Sequence, residues 1–334
     1  MTERRSIGTK QIAKALWYVS PGQAELRTQP VGVPPPGEAQ IRMLFSGISR
    51  GTERLVLAGK VGKTEWQRMR APLQEGQFPF PVKYGYCAVG VVNAGPEALL
   101  GKTVFCLHPH QNWFNVSVDR LTIVPATVPP RRATLAANME TALNALWDAG
   151  AGPGDRISVV GGGIVGLLVA HLAGRLPGAH VTLVDIEPQR AELARHLGVH
   201  FATPQEASGE ADIVVHTSAS SAGLATAIGL AGDEATIIEL SWYGEQPVAV
   251  DLGGPFHSRR LKLISSQVGQ IPPARRPRWD YARRLQAALR LLEDARLDAL
   301  VADSIPFAEA ATRVPHSLAP GANGLAPVID YGGA

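Results

Sequence analysis

The run Arg156-Ile-Ser-Val-Val160 leads directly into Gly161-Gly-Gly-Ile-Val-Gly-Leu-Leu-Val-Ala170. A short strand, glycines at 161, 163 and 166, and then an apolar helical stretch restrict this chain more than any other feature. Gly161 permits a tight turn. Gly163 lets a phosphate reach the backbone, and Gly166 lets the helix close on the strand. The helix opening at Ile164 and Val165 turns its amide end towards an anion. An acidic residue belongs about 20 positions further on. Asp185 fills that place, closing Val181-Thr-Leu-Val-Asp185. A carboxylate there accepts bonds from ribose hydroxyls and repels a 2′-phosphate. The segment therefore reads as a dinucleotide site made by Gly161, Gly163, Ile164, Val165, Gly166 and Asp185, with NAD preferred over NADP. Arg190 is the nearby side chain able to meet a phosphate instead.

The rest of the chain supplies the setting. Before Pro129-Pro130 come short strands punctuated by Gly and Pro, over 13–19, 38–45, 85–93, 102–107 and 113–118, the pattern of a small β-barrel. After it, 133–149, 164–176, 188–197 and 222–230 read as helices. They alternate with strands over 156–160, 180–184, 212–216, 235–240 and 261–265, which argues for a parallel sheet covered on both faces. A charged amphipathic helix follows over 279–294, and 300–331 returns to short strands. The expected fold is α/β, a doubly wound parallel sheet inserted in a small β domain. The expected boundaries are 1–130 for the catalytic domain, 131–270 for the dinucleotide domain and 271–334 for the return. Residues 1–12 read as a loose tail.

Composition excludes several classes. The 334 residues carry 32 basic and 29 acidic groups, too balanced for a nucleic-acid partner. Two cysteines, Cys87 and Cys106, rule out a disulfide scaffold and a four-cysteine zinc site. No run of 18 apolar residues and no apolar leader segment occurs, so the expectation is a cytoplasmic protein without a membrane span. The run Arg275-Arg-Pro-Arg278, with Arg283 and Arg284, is the strongest charge cluster. It reads as a solvated face or as a recruiter of acidic substrates.

The whole sequence resembles the medium-chain dehydrogenase/reductase superfamily. Pro36-Gly-Glu38, Ser46-Gly-Ile-Ser49, Gly85-Tyr-Cys-Ala-Val-Gly-Val-Val92, Gly101-Lys-Thr-Val-Phe105, Pro153-Gly-Asp155 and Val328-Ile-Asp-Tyr331 carry the likeness. Ser46-Gly-Ile-Ser-Arg-Gly-Thr-Glu-Arg54 and Gly85-Tyr86 look most like the branch of the bacteriochlorophyllide 3-hydroxyethyl dehydrogenase. The resemblance implies a GroES-like catalytic domain around a Rossmann domain, a homodimer, and alcohol–ketone chemistry on a small-molecule substrate that is bulky or acidic. Where zinc members hold catalytic metal, this chain has Ser49, Tyr86 and, near the third position, Ala137 or Asn138. These are poor zinc ligands, so no zinc is expected. Cys106, His108 and His110 alternate along one segment and form the alternative metal set.

Without metal, hydrogen-bond donors must polarise the reacting oxygen. By the resemblance the substrate cleft receives Ser49, Thr52, Glu53, Tyr86, Glu140 and Thr141. Tyr86 is the expected oxygen-polarising acid, with Thr52 or Ser49 relaying the proton. Glu140, Glu53 and His108 are further candidates for proton transfer. Thr141, Ser241 and Ser266 fall where the family contacts the nicotinamide. The reading is an NAD-dependent, zinc-independent dehydrogenase of secondary alcohols. An enone or quinone reductase and a non-catalytic dinucleotide sensor are its competitors.

Overall fold

The computed structural model describes residues 11–301, 303–322 and 324–332. Most of the expected N-terminal tail lies outside them. The described chain divides into two compact units, one over 136–300 and one formed by the described residues before 136 and after 300.

The unit over 136–300 is a six-stranded parallel sheet. Its strands are β1 (Arg156–Val160), β2 (His180–Val184), β3 (His200–Ala202), β4 (Ala211–His216), β5 (Ala231–Glu239) and β6 (Lys262–Ser265). Their spatial order is β3-β2-β1-β4-β5-β6, and every pairing is parallel. The order reverses between β1 and β4, which opens a crevice beyond the strand ends. Helices α1 (Ala136–Ala149), α2 (Ile164–Ala173), α3 (Arg190–Leu197), α4 (Ser221–Leu230) and α5 (Tyr281–Leu291) belong to this unit. Ile157, Val159 and Val160 are all buried. This fits a strand enclosed on both faces, where near-continuous β-branched runs replace alternation. Residues 161 and 166 must be glycine. Gly161 has φ +109°, and a Cβ on Gly166 would lie 1.8 Å from the Gly161 carbonyl oxygen.

The other unit is built from antiparallel ladders together with a parallel pairing of Ser304–Pro306 with Val328–Asp330. Strand Glu38–Gly47 pairs with Ala88–Ala94, with Trp113–Ser117 and with Val328–Asp330. Gln11–Ser20 pairs with Gln23–Val31 and Val82–Lys83. Ile41, Met43, Val92, Val104, Cys106, Phe114 and Val116 share its core. This is the small β domain that the strand spacing suggested, and the GroES-like domain that the resemblance implied.

The chain rejoins this domain at Val301, not at 271. The segment 271–300 stays with the parallel sheet because α5 packs on α1, and its Arg284 is buried there. Two short helices, Arg50–Leu57 and Ala310–Leu318, form where the sequence pattern predicts none. Both lie in stretches whose glycines and proline obscure the helical period: Gly51 sits in the first, and Pro315 is tolerated inside the second. The helix expected over 133–149 is divided at Thr134–Leu135 into Pro130–Ala133 and α1.

Candidate functional site

In the parallel-sheet unit, the glycine turn and Asp185 are joined directly. Asp185 ends the run through β2. Its carboxylate accepts the N–H of Gly162 through Oδ2, and the N–H of Glu187 through Oδ1 at 2.8 Å. A carboxylate has about four acceptor sites, so the ribose-binding capacity expected of Asp185 remains. Nothing lies within 4 Å of a Cβ placed on Gly163, which leaves the backbone there open to a phosphate. Ile164 and Val165 begin α2, whose first amides face this opening. The Arg190 guanidinium bonds Glu187 at 2.9 Å.

Ser241 follows β5, and its hydroxyl accepts the N–H of Ala219 at 3.1 Å. Ser266 follows β6 and donates to Asp148 at 2.6 Å. Burial pushes the Asp148 carboxyl up, and the bond from Ser266 offsets part of that. Thr141 donates to the carbonyl of Ala137 within its own helix at 3.1 Å.

Glu140, expected as a proton-transfer candidate, is 5% exposed and pairs with Arg284 at 3.0 Å. Arg284 also donates to Asn144 at 2.7 Å and to the Val268 carbonyl at 2.7 Å. Burial pushes the Glu140 carboxyl up, and the adjacent guanidinium reverses only part of the shift. This arrangement is a structural clamp between α1 and α5. Arg284 therefore leaves the arginine cluster. Arg275 and Arg283 instead stack at 5.2 Å on Trp147 and 4.1 Å on Trp279.

The GroES-like unit gathers the hydroxyls. Ser49 caps the helix Arg50–Leu57 by position only: its side chain makes no capping bond. Its N–H is held by Glu53 Oε1 at 2.9 Å. The hydroxyls of Ser49 and Thr52 lie close enough to the half-buried Tyr86 phenol to pull its pKa down. Burial pushes that phenol well above its ordinary range, against the pull of the two hydroxyls. The three residues selected from the sequence are thus one cluster. A phenol kept protonated, beside two serine-type hydroxyls, is a donor set for a carbonyl oxygen and does not fit a zinc ion.

Below that cluster runs a buried chain that the sequence reading did not assemble. Glu53 is fully buried. Its Oε2 accepts the Tyr18 phenol at 2.6 Å and meets His110 Nε2 at 3.0 Å. His110 Nδ1 meets Ser46 Oγ at 2.7 Å, and Ser46 meets Tyr331 at 2.9 Å. Gly85, at φ +115°, makes room for it, since a Cβ there would lie 2.8 Å from His110 Nε2. Arg54 donates to the Leu318 carbonyl at 2.8 Å.

The alternating set Cys106, His108 and His110 diverges. Cys106 lies in the apolar core, its thiol pushed up to about 12 by burial. The His108 ring stacks on Phe114 at 3.6 Å. Burial and the Lys83 charge lower His108 to about 3, so it is neutral and its Nδ1–H donates to the Pro109 carbonyl at 2.8 Å. Among the described residues, no three His, Cys, Asp or Glu side chains gather as a metal site. No described helix is long and apolar enough to cross a membrane.

No protein-family model matches the chain. Over 87 residues it is 39% identical to an uncharacterized zinc-type alcohol dehydrogenase-like protein of Haemophilus influenzae. That match covers 26% of this chain, and the chain spans about a quarter of the relative's length, 25%. Solved structures match nearly end to end. An L-idonate 5-dehydrogenase from Escherichia coli superimposes with a TM-score of 0.79, at 13% identity over 97% of this chain and 99% of that one. An E. coli structure described as a short chain alcohol dehydrogenase, complexed with NADH, gives 0.76 at 15% identity over 96% and 99%. A Sinorhizobium meliloti structure described as a zinc-binding dehydrogenase, bound to NADP, gives 0.75 at 17% identity over 96% and 100%. At these identities the likeness is one of fold: the chain has the two-unit α/β fold of these dehydrogenases, a Rossmann sheet with a GroES-like domain.

Proposed function

We propose that the chain is an NAD-dependent, zinc-independent oxidoreductase of the medium-chain type, interconverting a secondary alcohol and a ketone. The observation that carries this reading is the glycine crevice closed by Asp185, with Arg190 neutralised by Glu187. Gly161, Gly163, Gly166 and the first turn of α2 would hold the pyrophosphate. Asp185 would take the adenosine ribose and disfavour a 2′-phosphate. When bound, the nicotinamide supplies the hydride acceptor or donor.

The GroES-like unit supplies the proton handling. Tyr86 donates a hydrogen bond to the substrate oxygen. Ser49 and Thr52 hold the phenol and pass the proton between it and solvent. The raised pKa keeps the phenol protonated at neutral pH, as a donor must be. The likeness to the tetrapyrrole branch supports a bulky alcohol as substrate.

The decisive measurement is thermal stabilisation by NAD and by NADP, followed by turnover of a panel of bulky secondary alcohols. Clear stabilisation by NAD above NADP, with NADH formed from one of the alcohols, is expected. Stabilisation by neither dinucleotide would refute the reading.

A further inference from the structure

Beyond the glycine turn, the crevice of the parallel-sheet unit contains a second polar device. His216, the last residue of β4, is fully buried. Its Nδ1 meets Glu239 Oε2 at 2.7 Å, at the end of β5. Its Nε2 meets Ser218 Oγ at 2.7 Å. Ser218 Oγ meets Ser220 Oγ at 3.0 Å, and Ser220 Oγ accepts the N–H of Gly223 at 3.0 Å in the first turn of α4. Glu239 is further fixed by the N–H of Ser241 at 2.7 Å and the phenol of Tyr243 at 3.1 Å. Burial alone would push the Glu239 carboxyl up, but the bonds from His216 and Ser241 outweigh it and hold the carboxyl low.

The chemistry of these groups gives the chain a direction. A carboxylate only accepts, so the proton between Glu239 and His216 sits on Nδ1. In a neutral imidazole Nε2 is then an acceptor, and the Ser218 hydroxyl donates to it. Ser218 spends its one hydrogen on His216, so in the contact between the two serines Ser220 donates to Ser218 Oγ. Ser218 is left with one unused lone pair. It is exposed, while His216 behind it is sealed. The Ser218 backbone lies on the glycine turn, since a Cβ on Gly161 would fall 2.8 Å from its nitrogen, and its hydroxyl lies beside Gly223 in the first turn of α4.

We infer that the Glu239–His216–Ser218 chain is a built acceptor for a ribosyl hydroxyl of the second nucleoside half of the dinucleotide. The inference rests on the dinucleotide reading above. It follows from the sheet order. Each half of a doubly wound sheet takes one nucleotide half. Asp185, after β2, marks the adenosine side, so Ser218 and Glu239, after β4 and on β5, stand on the other. Ser218 is here a binding residue. His216 and Glu239 are positioning residues that set which way its hydroxyl points.

Calorimetric titration of the full chain with NAD and with ADP tests this. ADP reports the adenosine half alone. Ser218→Ala, at an exposed position, should leave ADP affinity unchanged and weaken NAD about tenfold, the loss of one hydrogen bond to a polarised group. An NAD analogue lacking the ribosyl hydroxyls on the nicotinamide side should bind the native chain about tenfold more weakly than NAD, and Ser218→Ala with no further loss. Glu239→Gln should reproduce part of the NAD loss without touching ADP. Unchanged NAD affinity in Ser218→Ala would overturn the inference alone. A parallel loss of ADP would also overturn it, because Ser218 would then only shape the loop. A native chain that binds neither ligand would refute the dinucleotide reading itself, and the inference with it.

Discussion

Glu140 offers the sharpest separation between a catalytic carboxylate and a structural one. Its partner Arg284 is 3% exposed and makes three bonds, to Glu140, Asn144 and the Val268 carbonyl. Glu140→Ala removes the carboxylate paired with this guanidinium and leaves two neutral acceptors bonded to it. Breaking a buried pair from one side costs about 3–5 kcal/mol, because the remaining charge is stranded. For a unit the size of 136–300, each kcal/mol moves the melting temperature by roughly 2–4 °C. The transition of that unit should therefore fall by about 6–20 °C. Differential scanning calorimetry without cofactor measures this directly. Replacing both partners, Glu140→Leu with Arg284→Leu, should recover most of the loss, since no charge is then left uncompensated. A melting temperature of Glu140→Ala within about 2 °C of the native value would refute the clamp. Loss of turnover in Glu140→Gln with an undisturbed fold would return Glu140 to proton transfer.

The other predictions concern the proposed chemistry. Tyr86→Phe should lower turnover by about 10²–10³, the usual loss for one donor to a developing oxyanion, with NAD affinity unchanged; near-native turnover would make the phenol structural. Asp185→Ala should narrow the preference for NAD over NADP, measured as the ratio of dissociation constants. It should also cost about 1–3 kcal/mol in urea unfolding, because the amides of Gly162 and Glu187 lose a charged acceptor. Extended treatment with a chelator should leave activity intact, and one tightly held zinc per chain lost together with activity would sink the zinc-independent mechanism. Arg275→Ala with Arg276→Ala should raise the Michaelis constant for an acidic alcohol, most at low salt; a constant indifferent to ionic strength would leave these arginines as a solvated face.

Local pattern alone determined the parallel sheet of this protein and its crevice. A β-branched strand, glycines at 161, 163 and 166 and a carboxylate at 185 interact within one strand–helix–strand unit, so their meaning is carried by spacing. Ser49, Thr52 and Tyr86 are candidates through the resemblance and not through spacing. Tertiary structure decided the rest. Glu140 is a proton-transfer candidate by resemblance, and the arginine that meets it, Arg284, comes on α5 from 144 positions away; that same contact holds 271–300 with the sheet. Cys106, His108 and His110 share a spacing but not a destination: a core, a Phe114 ring and the Glu53 carboxylate claimed them separately. His216 and Glu239 sit on different strands, and only parallel pairing in register places His216 opposite Glu239. A buried polar group is costly unless it is partnered. Its partner is chosen by the packing of distant segments, and no local pattern in the chain records that choice.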